Sequence, residues 1–341
     1  MAQNNTSRVL RAAVVGCGGI AQVHAAVLAS LEQVELAACA DIVPERAQKL
    51  ADRFGFKSAY GSLEEMLDKE RIDVLHVCTP HVLHIPMAEQ AAERGINIFM
   101  EKPPAMNRDQ LNRLIKLYEK AKIGICFQNR YNPNVLYAKQ ILNAGELGKI
   151  LGARAFVTWS RDKNYYESGG WHGKWSTEGG GVLMNQSIHT LDLLVSFLGN
   201  PSSAEAHMSN HHLKNWIEVE DTMEAYIDFQ DRPALFYATT AYRADAPVLL
   251  EFCCENGTVR LEGAETVTIQ RNARSEHISF AKQDTTGKDY WGSGHSTLIR
   301  KYYECLRTGE RFPVEIPDVL QTMELTLGLY QSCRENSTVY Y

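Results

Sequence analysis

No stretch of the 341 residues approaches the roughly 18 consecutive apolar residues that a membrane span requires. No Lys/Arg-rich run stands out, and the formal net charge is −6. A nucleic-acid surface, which needs a clustered basic footprint, is therefore not expected. The eight cysteines include no CxxC pair, so neither a zinc knuckle nor a thiol redox motif is indicated, and no metal site is expected. Several of them, such as Cys39 and Cys78, sit in apolar runs and read as free, mostly buried thiols of a reducing compartment. Met1 to Arg11 is polar and carries no apolar core of a secretory signal. The expectation is a soluble, cytoplasmic protein. Internal repeats and low-complexity segments are missing as well.

Length and composition then set the scale. A chain of 341 residues exceeds one ordinary core and fits two domains. With 45% hydrophobic and 22% charged residues, its composition is that of a globular protein. The first third alternates strand-like and helix-like segments. Val9 to Val15, Val34 to Ala40, Asp73 to Cys78, Ile96 to Met100 and Ile123 to Phe127 read as strands. Between them come helical stretches, one opened by Pro44, one closed by Gly95 and one capped by Asn107. That alternation predicts parallel βαβ units with helices on both faces. After about residue 128 the pattern changes. Ile150 to Ser160 reads as a strand, residues 161 to 178 as a loop rich in Trp, Tyr and Gly, and Gly180 to Leu198 as a helix. Strands follow at Thr222 to Phe229, Ala234 to Tyr242, Val248 to Glu255, Thr258 to Leu261 and Glu265 to Gln270, with Asn256-Gly257 as a hairpin turn. In the first of these, Met223, Ala225, Ile227 and Phe229 alternate with polar positions, as in an antiparallel sheet with one wet face. Two helices, about Ser296 to Arg307 and Asp318 to Glu335, close the chain. The fold class is α/β: one domain over residues 1–127 with a parallel sheet, then a second over 128–341, expected from the motifs below to bind dinucleotide and substrate respectively.

The sharpest motif is Gly16-Cys17-Gly18-Gly19-Ile20-Ala21, set between a strand and a helix. Gly16 permits the tight turn, Gly18 lets backbone approach a pyrophosphate, and Ala21 keeps helix and strand close. The helix start offers free N–H groups and a positive dipole end to phosphate. Asp41 ends the second strand, where a carboxylate can grip a ribose diol and repel a 2′-phosphate. Ile42 follows it in place of a cation, so NAD is expected over NADP. A helix-capping role for Asp41 behind Pro44 stays open.

Glu101-Lys102-Pro103 follows a strand, at the carboxyl end where open α/β sheets bind ligands. Lys102 can hydrogen-bond a substrate hydroxyl and stabilise developing negative charge. Thr79-Pro80 flanks the same crevice, with His84 on the helix that follows. In the second domain a glycine run precedes Asn185, His189 and Asp192, spaced to share one helical face. His189 can exchange the proton of an alcohol near neutral pH, and a polar neighbour fixes its tautomer. Arg161, Tyr165 and Trp171 in the aromatic loop suit the faces and hydroxyls of a sugar ring, or they fold the loop onto the sheet. His295 can approach the same site or cap the last-but-one helix.

Together VVGCGGIAQVHA, DVLHVCTPHVLH, INIFMEKPP, GGGVLMNQSIHTLD and GHSTLIRKYYECLRTGERFPV are similar to the glucose–fructose oxidoreductase / inositol dehydrogenase / MocA family over most of the chain. The resemblance implies an N-terminal Rossmann domain and a C-terminal α/β domain with a large, open, mostly antiparallel sheet that forms the contact of a homo-oligomer, dimer or tetramer. It implies NAD(P) held between the domains and a small-molecule sugar, cyclitol or polyol substrate. It makes Lys102 the lysine of the Glu-Lys-Pro motif, with a cis bond to Pro103, and His189 the acid/base. The family pattern Asp-x-Gly-x-His-x-x-Asp here reads Asn185-Gln-Ser-Ile-His189-Thr-Leu-Asp192. An amide at 185 orients a hydroxyl but accepts no proton from it.

The expected reaction is hydride transfer between NAD and a carbinol carbon. Gly16, Gly18, Gly19, Ile20 and Asp41 would hold the dinucleotide; Thr79, Pro80, His84, Glu101 and Lys102 would border its nicotinamide half. Lys102, His189 and Asn185 form the catalytic set, and Arg161, Tyr165, Trp171, Asn185, His189 and Asp192 the substrate set. Two alternatives accompany this reading: an enzyme of the same family with tightly held, internally recycled NAD, cleaving or epimerising glycosides, and a non-catalytic regulator that senses dinucleotide or sugar.

Overall fold

The computed structural model describes residues 8–281 and 292–341. The first seven residues of the polar N-terminal segment lie outside them. The chain divides into two compact units.

The first unit runs to Gln128. Its elements are β1 (Leu10–Val15), α1 (Gly19–Ala29), β2 (Val34–Ala40), α2 (Pro44–Phe54), β3 (Ser58–Tyr60), α3 (Leu63–Lys69), β4 (Val74–Val77), α4 (His84–Glu93), β5 (Asn97–Met100), α5 (Arg108–Tyr118) and β6 (Ile123–Ile125). The strands form a six-stranded parallel sheet in the order β3-β2-β1-β4-β5-β6. This is the order of a dinucleotide-binding fold, with the switch point between β1 and β4. Ala12 to Val14 and Val74 to Leu75 have no exposed surface, as expected of strands covered on both faces. Pro44 stands at the first turn of α2 and Gly55 closes that helix at φ 84°. Asn107 caps α5 by accepting the Gln110 N–H at 2.9 Å.

The second unit starts at Asn129 and ends with Val319–Tyr341. It contains α6 (Pro133–Asn143), β7 (Ile150–Thr158), α7 (Lys163–Gly169), α8 (Ile188–Leu198), β8 (Ser203–Ser209), β9 (Thr222–Asp228), β10 (Pro233–Thr239), β11 (Leu249–Cys254), β12 (Gly257–Glu262), β13 (Thr266–Arg271) and β14 (Arg274–Ser279). These strands and the short β15 (Val339–Tyr340) make a nine-stranded sheet, β14-β13-β12-β11-β7-β10-β9-β8-β15. Only the β7–β10 pair is parallel. The α/β expectation, one parallel sheet and one mostly antiparallel sheet, is borne out. In β9 Met223 and Ile227 are fully buried while Tyr226 is half exposed, the expected alternation. α6 and α8 pack on the buried face.

The C-terminal helices are α9 (Gly294–Thr308) and α10 (Ile316–Glu335). Here the expected boundary is corrected: residues 128–341 are not one unit, because Gly294–Asp318 returns to the first unit. α9 packs on α1, Tyr302 donates to Ile98 O at 2.8 Å, and Ile125 N donates to Val314 O at 2.9 Å. Six cysteines, Cys17, Cys39, Cys78, Cys126, Cys254 and Cys305, are buried and all eight thiols are free. No described helix is long and apolar enough to cross a membrane.

Candidate active site

Gly16 holds φ at +82°, and a Cβ there would lie 2.6 Å from Cys78 O on the neighbouring strand end. Only glycine fits both the conformation and the gap. Gly18 and Gly19 are exposed, and a Cβ on either would project into open space. Ile20 follows, half-buried in the first turn of α1. That helix begins with no side-chain cap and no acidic residue in its first turn. Its orphan N–H groups and positive dipole end are left to a phosphate. Asp41 closes the other side of the turn. Its Oδ2 accepts the Cys17 N–H and its Oδ1 the Val43 N–H, both at 2.8 Å. It ties the glycine turn to the end of β2 while its oxygens keep further lone pairs for a ribose diol.

The carboxyl ends of β4 and β5 carry the other expected cofactor residues. Thr79 and Pro80 are half-buried. Among the described residues, the buried Thr79 Oγ1 finds no hydrogen-bond partner. Such an orphan at the mouth of the sheet suits a bound polar group. The Lys102–Pro103 bond is cis, and Lys102 is half-buried beside it. His84 requires a correction. It has no exposed surface to offer a cofactor; its Nδ1 lies 2.8 Å from Pro103 O and its Nε2 2.9 Å from Thr79 O. Burial lowers its pKa against these two carbonyl contacts. It clamps the two loop ends together. Glu101 is buried too and turns inward, accepting from His24 Nε2 at 2.9 Å and from the Lys102 N–H at 3.2 Å. Burial works against its charge, but the hydrogen bond from His24 outweighs it and holds the carboxyl well below the usual range. Its contact with the Lys102 backbone N–H fixes the start of the Lys102–Pro103 turn.

In the second unit the expected helix from Gly180 starts at Ile188 instead. The reason is Glu220. Its carboxylate accepts the N–H groups of Gly181 (2.9 Å) and Leu183 (3.0 Å), and Ser187 donates to Val182 O from both backbone and side chain. Segment 181–187 therefore winds as turns around Glu220. A Cβ on Gly181 would sit 1.9 Å from Glu220 O. Burial pushes the Glu220 carboxyl up to about 7, against the hydrogen bonds of Tyr330, Gly181 and Leu183. Asn185 thus stands in a turn, off the helical face it was expected to share with His189 and Asp192. His189, buried, is the second residue of α8.

Asp192 also departs from expectation. It is 1% exposed and held by Arg130 through two contacts, 2.7 and 2.5 Å, and by Thr322 at 2.8 Å. It anchors α8 and has no surface for a substrate. Arg161 is likewise committed: Nη1 pairs with Asp245 at 3.0 Å and with Ser160 O at 2.7 Å, and the guanidinium lies over Trp159 and Tyr165. It braces Tyr165. The expected loop 161–178 contains α7 and is folded by its own rings. His172 stacks on Tyr165 at 4.7 Å, and Trp171 lies 3.8 Å from His172.

Several residues of this neighbourhood escaped sequence reasoning. Glu178, with no exposed surface, accepts from Asn185 Nδ2 at 2.6 Å and from His172 Nδ1 at 3.2 Å. Gln186 Nε2 donates to the Tyr165 hydroxyl at 3.1 Å. In the first unit His24, His76 and Tyr303 line up behind Glu101. A histidine inside the apolar strand Val74-Leu-His-Val77 was the one visible signal. Ligand-type atoms of His24, Glu101 and Cys126 lie within 4.8 Å of one another. Burial pushes the Cys126 thiol well up, so it keeps its proton, and the His24–Glu101 contact is a hydrogen bond. The trio reads as hydrogen-bonded structure.

Known proteins share this chain's family and fold. A family model described as the Gfo/Idh/MocA oxidoreductase family, NAD-binding Rossmann fold, matches residues 10–127. A second, the Gfo/Idh/MocA C-terminal domain, matches residues 135–260. D-glucoside 3-dehydrogenase of Escherichia coli (strain K12) is 28% identical, covering 98% of this chain and 98% of its own. The scyllo-inositol 2-dehydrogenase (NAD(+)) of Bacillus subtilis (strain 168) is 27% identical over 94% of this chain and 92% of its own. Among solved structures, the WlbA dehydrogenase from Bordetella pertussis in complex with NADH and UDP-GlcNAcA aligns with a TM-score of 0.85 at 27% identity, over 98% of this chain and 99% of that one.

Proposed function

The chain belongs to the Gfo/Idh/MocA oxidoreductases with an NAD-binding Rossmann fold, and from that membership we propose that it oxidises or reduces a carbinol carbon of a sugar, cyclitol or related polyol. The observation that carries the reading is the Gly16–Gly19 turn opening onto an uncapped α1. Gly16, Gly18, Gly19, Ile20 and Asp41 hold the dinucleotide, and the Thr79 hydroxyl and Pro80 border its nicotinamide half. Bound NAD supplies the acceptor or donor of the hydride. Lys102 hydrogen-bonds the reacting oxygen and stabilises the negative charge that grows on it. His189 takes the alcohol proton or returns it. Asn185 donates and accepts without exchanging a proton, and so orients a substrate hydroxyl with Tyr165 and Trp171.

Homo-oligomerisation belongs to the same proposal. On the face of the nine-stranded sheet away from α6 and α8, Leu235 pairs with Tyr226 and Tyr237 with Phe156. Tyr226 and Leu235 are 51% and 56% exposed, an apolar patch that a second copy would cover.

The reading is tested by absorbance at the reduced-nicotinamide band. Purified protein is mixed with NAD, and separately with NADP, against inositols, hexoses, glycosides and sugar acids. Reduction of NAD with one compound class is expected. Binding of NAD without reduction by any of them would move the weight to internally recycled cofactor or to a sensor.

A further inference from the structure

Behind Glu101 the first unit buries four polar side chains in a row. Tyr303 Oη is 2.9 Å from His76 Nε2, His76 Nδ1 is 2.9 Å from His24 Nδ1, and His24 Nε2 is 2.9 Å from Glu101 Oε1. His24 and His76 have no exposed surface, Tyr303 is 1% exposed and Glu101 6%. Polar groups buried so deeply persist only when paired. Here the pairing can be solved from one end. A carboxylate only accepts, so His24 donates from Nε2. In a neutral ring its Nδ1 is then the acceptor, so His76 donates from Nδ1. His76 Nε2 must accept, and the Tyr303 O–H donates to it. Every donor and acceptor finds a partner with both rings neutral. Burial, which lowers His76, keeps that ring neutral.

The row joins four elements: α9 (Tyr303), β4 (His76), α1 (His24) and the residue after β5 (Glu101). It stops at Tyr303, so it does not carry protons to solvent. All donation runs one way, towards the carboxylate that also accepts the backbone N–H of Lys102. Such a row fixes the orientation of the carboxylate and its negative charge. Among the described residues, the other titratable groups around Glu101 and Lys102 are His295 from α9, His84 from α4, Cys78 after β4 and Cys126 after β6. Burial pushes His295 down to about 4, so it stays neutral, and its Nε2 lies 3.9 Å from Glu101. Glu101 then contributes an anion next to Lys102 in the chain.

We propose that His24, His76 and Tyr303 are positioning residues of the reaction: a one-way hydrogen-bond row that locks Glu101 and, through it, sets the charge and placement of Lys102. The proposal rests on the reading of Lys102 as the partner of the reacting oxygen.

Its test does not depend on turnover. The ε-carbon of Lys102 is followed by NMR titration in protein carrying 13C-labelled lysine, with Lys102→Arg assigning the signal. Glu101→Gln removes the neighbouring charge and is expected to lower the midpoint by about one pH unit. His24→Leu should lower it by less, and His24→Gln, which can still donate to Glu101, should restore it. Tyr303→Phe removes a single oxygen far from the lysine and guards against a His24→Leu protein that does not fold; it should shift the midpoint slightly in the same direction. Nitrogen-15 spectra should show His76 protonated on Nδ1 and His24 on Nε2. Folded His24→Leu and Tyr303→Phe proteins titrating like wild type, or the opposite tautomers, would overturn the proposal. If the wild type turns over no polyol, the functional reading fails separately, with the titration still deciding whether the row governs the lysine. In an active protein, the alkaline limb of kcat/KM should move with the Lys102 midpoint while the Kd for NAD stays within about twofold.

Discussion

A methyl group added at Gly16 would have to occupy a left-handed backbone conformation, φ +82°, at 2.6 Å from Cys78 O. The conformation alone costs about 1–2 kcal/mol for a non-glycine residue, and the clash adds to it. Gly16→Ala should therefore lower the urea midpoint and abolish measurable NAD binding, whereas Gly18→Ala, whose Cβ meets nothing in the protein, should weaken NAD binding at unchanged stability. Equal stability of the two variants would contradict the reading of the turn. Lys102 and His189 differ from these, since the proposed function puts them at the reacting atoms. Replacing either by Ala should cost on the order of a hundredfold or more in kcat, because a positioned acid/base contributes that much. Near wild-type turnover in either variant would remove its role. Asp192, by contrast, is tied to Arg130, so Asp192→Asn should lower stability with less effect on the KM of the polyol.

At the scale of elements, local signals were legible and remote ones were not. The glycine turn, the Pro44 helix start and the Asn256-Gly257 hairpin between β11 and β12 each depend on a few adjacent residues. The Asn107 cap belongs with them, and Asn107→Ala should cost about 1 kcal/mol, read as a shift of the denaturation midpoint. β8, Ser203–Ser209, carries a weak pattern of its own and is held in place by pairing with β9. The start of α8 was misplaced for a similar reason. The sequence from Gly180 has helical composition, but Glu220, distant along the chain, captures the N–H groups that a helix would leave open. The two histidines of the buried row lie 52 positions apart, and their contact follows from the β1–β4 neighbourhood of the sheet. The fold class and the cofactor turn could thus be read in advance. The roles of His84, Arg161 and Asp192 could not, because each depends on a partner that only the folded chain supplies.

Among the described residues, buried histidines of the first unit make the folded state acid-sensitive. Burial holds His295 at about 4 against an ordinary 6.5, and lowers His76 and His84 as well. Below 6.5 the unfolded chain takes up protons that these folded-state rings refuse. The stability they permit is therefore present above 6.5 and is lost as the pH falls towards 4, by on the order of 3 kcal/mol for His295 alone. The Glu220 carboxyl, raised to about 7, titrates with the opposite sign over the same range, so the test uses Glu220→Gln protein, whose urea midpoint should drop between pH 7 and pH 5; an unchanged midpoint in that background would contradict the assignment of neutral buried rings. The apolar face of the nine-stranded sheet makes a second prediction at this scale. Tyr226→Glu with Leu235→Glu should convert an oligomer into monomers in light scattering, since the two residues are register partners on that face. The proposed function rests on hydride transfer between a carbinol carbon and NAD. The most direct measurement uses the polyol that reduces NAD best, carrying deuterium on the carbon that is oxidised, with mass analysis of the nicotinamide. The account predicts one deuterium in the reduced cofactor for each ketone formed. Product formed with no deuterium in the nicotinamide would contradict it.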